Sequence, residues 1–169
     1  YIEPQALKEM AQLIESFPED NLPIIASSMR FINLNQNTST IYISNEKAPQ
    51  KGYKSLDMGI IHPATLVPKS IYKQIGNYDD RFSIMADIDW FIRACKTHQP
   101  IYSSTIVSTN MCYGGISTTS QFKKLYKERT MLYKKHTRNL IEEKLYLSKW
   151  CIRHFKNTLY TKIKSLKHK

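Results

Sequence analysis

Two hydrophobic periods alternate along this chain, and the switches between them outline its elements. After Pro4, the apolar residues Leu7, Met10, Ala11 and Ile14 recur at helical spacing. They predict a helix over 4–16, with Pro4 in the first turn, where a missing N–H costs nothing. A polar stretch with a proline at each end, 18–23, closes it. Residues 24–34 (IIASSMRFINL) read as a buried strand of mixed polarity. The turn-forming NLNQNTST at 33–40 leads into a short strand, IYISN at 41–45, a pattern that suits an antiparallel hairpin. Residues 48–57 are polar, hold Pro49 and Gly52, and read as a loop of the kind that carries binding roles. A second apolar strand is predicted over 58–67, interrupted by His62 and Pro63. A short helix then ends at Gly76, which occupies the C′ position.

Ile88, Phe91, Ile92 and Cys95 recur at helical spacing, so one face of a helix over 88–96 should be buried. Asp87 stands at the expected N-cap, with Asp89 in the first turn, where the helix dipole favours negative charge. Asp89 and Arg93 form an i, i+4 pair. The β-branched stretch 101–111 predicts a strand, and Gly114-Gly115-Ile116-Ser117 follows it. Two adjacent glycines suit either a plain turn or the close approach of a substrate, and Ser117 or Thr118 suits the cap of the next helix. From Gln121 the pattern is helical nearly to the end. Leu145, Ile152, Leu159 and Leu166 repeat every seven residues, flanked by Ile141, Phe155 and Ile163, with most lysines off that stripe. Such a helix either lies on anionic lipid, pairs as a coiled coil, or packs back on the core.

Charge divides the chain at the same place. Residues 1–120 hold 10 Lys+Arg and 11 Asp+Glu, a net of −1, whereas residues 121–169 hold 15 Lys+Arg and 3 Glu, a net of +12. The anionic partner implied by a basic protein is therefore a partner of the tail. Confinement of the excess to one helix, without a stacking-aromatic sheet motif, argues against nucleic acid. A length of 169 residues suits one sizeable core, so the domain expectation is 1–120 followed by a helical basic extension, 121–169. No apolar run approaches the ~18–20 residues of a membrane span, and no signal-peptide pattern stands at Tyr1. Cys95, Cys112 and Cys151 are scattered and distant from the five histidines, as expected of reduced thiols rather than a zinc site.

The candidate chemistry centres on 78–96, YDDRFSIMADIDWFIRACK. A carboxylate at the mouth of a buried helix can be a simple cap or a general base. His62, inside an apolar run, can be a hydrogen-bonded core residue or face a site. Arg81 can bind phosphate or pair with Asp79 or Asp80.

The order of these segments resembles the acceptor-side half of family 2 glycosyltransferases, the inverting GT-A enzymes of bacterial polysaccharide synthesis. The resemblance rests on His62, the 68–71 stretch, Gly76 with Tyr78 and Asp79, Arg81 with Phe82, Asp87 with Asp89, Arg93, and Gly114-Gly115-Ile116-Ser117. It covers roughly 1–135. It departs from the family at Ala86, where members commonly carry Glu. It implies an α/β fold, the C-terminal portion of a GT-A nucleotide-sugar transferase, with a long basic helical tail. It implies transfer of a sugar from a nucleotide-sugar donor to a glycan or lipid-linked acceptor, with Asp87 as base. Asp89 is the alternate base or orients Arg93, and His62, Asp89, Arg93, Gly114, Gly115 and Ser117 line the substrate side. Tyr1-Ile2-Glu3-Pro4-Gln5-Ala6-Leu7 resembles the continuation of the family's metal-binding Asp-x-Asp. A divalent cation, Mg or Mn, is then held upstream of Tyr1, the donor half is missing, and these 169 residues alone are inactive. The implied location is cytoplasmic, peripheral on the inner face of the membrane, with 141–169 on anionic lipid. The alternative is a non-catalytic scaffold that uses the basic tail to bind membrane or nucleic acid.

Overall fold

A computed structural model describes residues 2–34, 37–47, 56, 58–112, 122–137 and 139–166, the last ten of these by backbone only. It divides into two compact units, Tyr1–Gln121 and Phe122–Lys169. The first is a mixed α/β layer. Its elements in order are α1 (Pro4–Glu15), β1 (Ile25–Asn33), β2 (Thr38–Tyr42), β3 (Thr65–Leu66), α2 (Lys69–Ile75), α3 (Ala86–Cys95) and β4 (Ile101–Cys112).

Strand β1 is the centre of the sheet. It pairs antiparallel with β2 through Met29–Asn33 and with β3 through Ile25 and Ala26, and parallel with β4 along nearly its whole length. A strand has two edges, so β2 and β3 share one and β4 takes the other. This position explains why Ile24, Ile25, Ala26, Ser27 and Ser28 are all fully buried. Helix α1 covers one face through Ala6 and Met10, which meet Ile25 and Ile106, with Leu13 and Ile14 alongside. The buried stripe of α1 therefore runs 6, 10, 13, 14. The expected face is corrected: Leu7 is exposed, and alanine at position 6 permits the closer approach.

The serines in this core answer a defect in the ladder. Between Ala26↔Tyr102 and Ser28↔Val107, β1 advances two residues while β4 advances five. The surplus forms a bulge whose carbonyls lose their strand partners. The Ser28 hydroxyl donates to the Ser104 carbonyl at 3.2 Å, and the Ser44 hydroxyl reaches the carbonyls of Ala26 at 2.9 Å and Ser103 at 3.3 Å. Mixed polarity in this strand thus satisfies buried backbone acceptors.

Residues 58–67 do not form the second strand that their apolar run predicts. Pro63 cannot donate to a ladder, and His62–Ala64 is a 3₁₀ turn leaving only Thr65–Leu66 as strand. The turn is tied to both neighbours in the sheet. The Ser27 hydroxyl donates to the Ala64 carbonyl at 2.6 Å, and the Thr109 hydroxyl donates to the Pro63 carbonyl at 2.8 Å. The predicted 48–57 loop lies, apart from Leu56, outside the described residues.

The second unit is a helical hairpin, α4 (Phe122–His136) and α5 (Leu140–Leu166). The single tail helix is corrected here to two: Asn139 starts a new one, its side-chain oxygen accepting the Ile141 and Glu142 amides at 3.0 and 3.2 Å. Phe122 stacks on Trp150 at 5.4 Å and Tyr133 on Tyr146 at 5.1 Å. Arg129 lies 5.0 Å over the Trp150 ring and donates to the Tyr146 hydroxyl at 2.6 Å. Among the described residues no helix is long and apolar enough to cross a membrane.

Two expectations follow from this packing. Ser44→Ala should lower stability by about 1–3 kcal/mol in urea unfolding, because it strands buried acceptors, whereas Ser39→Ala on exposed β2 should change it by less than about 0.5 kcal/mol. Burial pushes the Cys95 thiol up to about 12, so an aromatic disulfide reagent at neutral pH should label exposed Cys112 long before Cys95. Equal labelling rates would contradict the packing of α3.

Candidate active site

Helix α3 begins two residues earlier than its charges suggest. Its N-cap is Met85, not Asp87. Phe82 and Met85 are buried and fix the chain's entry, and the Met85 carbonyl already accepts the Asp89 amide at 2.9 Å. Asp87 thus sits inside the first turn, half-exposed, with Oδ1 on the Ile88 amide at 2.8 Å. Trp90, Phe91, Ile92 and Ala94 are buried, while Ile88 and Cys95 are only partly so.

The buried side of α3 grips the turn after α2. Arg93 donates from Nη1 to the Ile75 carbonyl and from Nη2 to the Asn77 carbonyl, both at 2.7 Å. Trp90 Nε1 donates to the Gly76 carbonyl between them at 2.8 Å. Three successive carbonyls are therefore held by two side chains one turn apart. Gly76 makes the turn possible with φ of 82°, a region side chains avoid. Asp89 supplies the countercharge: it is fully buried and its Oδ2 accepts Arg93 Nε at 3.0 Å. Asp89 is thus enclosed within the fold, where its pair with Arg93 fixes the 75–77 turn.

What they position is Tyr78. Its hydroxyl lies 3.1 Å from that of Tyr72 and 3.4 Å from His62 Nε2. Burial, with the Tyr72 hydrogen bond and the nearby charges of Tyr72 and Asp87 adding, pushes the Tyr78 phenol far above its usual range, so it keeps its proton. On the other side of the imidazole, Nδ1 faces Asp87 Oδ2 at 3.7 Å. Which of the Tyr78 hydroxyl and His62 Nε2 donates follows from the imidazole tautomer. His62 rests edge-on against Phe91 at 5.7 Å, and Tyr72 lies on Trp90 at 4.4 Å. The result is a row, Tyr72–Tyr78–His62–Asp87, on an aromatic bed with its acidic end open to solvent.

Of the residues expected at the site, the structure brings together His62 and Asp87 and places Asp89 and Arg93 directly beneath. Gly114, Gly115 and Ser117, with the cap assigned to Ser117 or Thr118, lie outside the described residues. Arg81 is paired with Asp79 through two contacts, at 2.8 and 2.6 Å. The phenol pair is absent from the expected site residues; its signal is the spacing of Tyr72 and Tyr78 across a glycine turn. A second polar group was also not anticipated. Glu3 Oε1 accepts from Asn110 Nδ2 at 2.6 Å and meets Arg30 Nη1 at 3.5 Å. It neighbours the His62 turn along β4, because Ile2 bridges to Thr109, whose hydroxyl holds Pro63.

Among the described residues no group of three or more His, Cys, Asp or Glu side chains comes together to hold a metal ion. Comparison with family models, with curated proteins and with solved structures returns no match to the chain.

The grip on the 75–77 turn has a measurable consequence. Arg93→Met removes the cation beside buried Asp89 together with the donors to the Ile75 and Asn77 carbonyls, and should cost about 3–5 kcal/mol in urea unfolding. A loss below about 1 kcal/mol would show that the pair does not carry the turn.

Proposed function

We propose that this chain is the acceptor-side part of a GT-A-type, family 2-like inverting glycosyltransferase that acts in the cytoplasm at the inner face of the cell membrane. It would move a sugar from a nucleotide-sugar donor to a hydroxyl of a glycan or lipid-linked acceptor in polysaccharide synthesis. The observation that carries this reading is the meeting of His62 and Asp87. Segments 25 residues apart deliver an imidazole and a half-exposed carboxylate to the same open edge, 3.7 Å apart.

Inversion takes one displacement. The acceptor oxygen forms a bond to the anomeric carbon as the bond from that carbon to the diphosphate breaks. The acceptor proton passes to Asp87, whose Oδ1 is fixed by the Ile88 amide while its other oxygen faces His62. His62, held by Tyr78 through the clamped turn, keeps that carboxylate in one orientation. Asp89 enters as a positioning residue, since it is fully buried. When bound, a divalent cation would offset the charge on the leaving diphosphate.

The test is turnover of nucleotide sugars by the protein from its full reading frame. Asp87→Asn should retain donor binding and lose about 100-fold or more in kcat, the worth of a positioned base. Tyr78→Phe should lose less. Activity near wild type in Asp87→Asn would reject the base, and absence of turnover in the unmutated protein would favour the non-catalytic scaffold.

A further inference from the structure

Helix α5 has two apolar faces, and its hairpin uses only one. Glu143 and Leu147 are buried, and Tyr146, Trp150 and His154 meet the rings of α4. At 100° per residue these positions share one side of the helix. Ile141, Leu145 and Ile152 share the opposite side, and they are 81%, 54% and 56% exposed, while Phe155, also exposed, stands at the flank with its ring 5.2 Å from Phe122 of α4. The same spacing continues in the sequence through Leu159, Ile163 and Leu166. An open groove of about 560 Å³ lies on this side, lined by Ser148, Cys151, Ile152, Phe155 and Lys156.

The shoulders of that stripe are cationic. Lys149 and Lys156 stand on one side with Arg153 beyond them, and Lys144 stands on the other, all exposed. We infer that this outer face of α5 docks on an anionic lipid surface, the helix lying flat with its apolar stripe among the acyl chains and its lysines at the headgroups. Charge selects this occupant over a second copy of the chain, which would set lysine against lysine along the seam. With 27 residues, the helix runs about 40 Å along such a surface. The inference stands independently of sugar transfer.

Vesicle co-sedimentation of the whole chain tests it, using phosphatidylcholine alone and phosphatidylcholine mixed with phosphatidylglycerol. Binding should require phosphatidylglycerol and weaken about tenfold or more as salt rises from low to several times physiological. Ile152→Asp with Leu145→Ser should weaken it at least about tenfold even at low salt, with an unchanged circular-dichroism spectrum. Lys149→Gln with Lys156→Gln should remove most of the preference for the anionic vesicles and leave the fold intact. Equal binding to both vesicles, or binding to neither, overturns the inference. So does unfolding of the Leu145/Ile152 variant, which would make the stripe an internal packing face. Sedimentation showing a dimer that this variant dissolves would assign the face to a second copy and overturn it equally.

Discussion

The candidate site depends on one ion pair whose carboxylate is fully buried. Arg93 is held by buried Asp89 and spends its remaining donors on the carbonyls of Ile75 and Asn77, while Trp90 takes Gly76 between them. Helix termini ordinarily leave carbonyls unmatched. Here a neighbouring helix supplies the donors, and the chain leaving α2 is fixed in direction as a result. Tyr78 follows at once, and His62 and Asp87 take their places against it. A guanidinium suits this task because its donors lie in one rigid plane, which lysine cannot imitate.

The sheet solves a related problem by other means. A central strand with both edges filled, beside a partner that carries surplus residues, buries carbonyls that no strand can satisfy. Hydroxyls from Ser28 and Ser44 receive them. Ser27 links its own strand to the 62–64 turn and shares a 2.6 Å contact with Ser108. Small polar side chains let the sheet keep its irregularity and still exclude water. That irregularity places Thr109 where it holds the turn bearing His62.

Much of this was legible in the residues. Pro4 marked the start of α1, the turn-rich NLNQNTST marked the hairpin, and Gly76 marked the end of α2. The i, i+4 spacing of Asp89 and Arg93 announced their pair. What failed had local causes. Asp87 looked like a cap because caps are commonly acidic, but burial of Phe82 and Met85 decided where the helix began. The apolar run through His62 looked like strand until Pro63 broke it. The parallel pairing of β1 with β4, and the bulge within it, leave no periodic trace, because register between distant strands is set by the whole layer.

That pairing also orders the assembly of the molecule in time. β1 and β4 pair across 76 to 80 residues, so closing them carries a larger loop-entropy cost than the pairings of β1 with β2 or β3. The β1–β2 hairpin and the grip of α3 on α2 close over short stretches and have no need to wait for it. The turn that carries His62 is different, since it is tied to β1 by Ser27 and to β4 by Thr109. The turn that sets His62 against Asp87 is therefore complete only once both of these strands are in place.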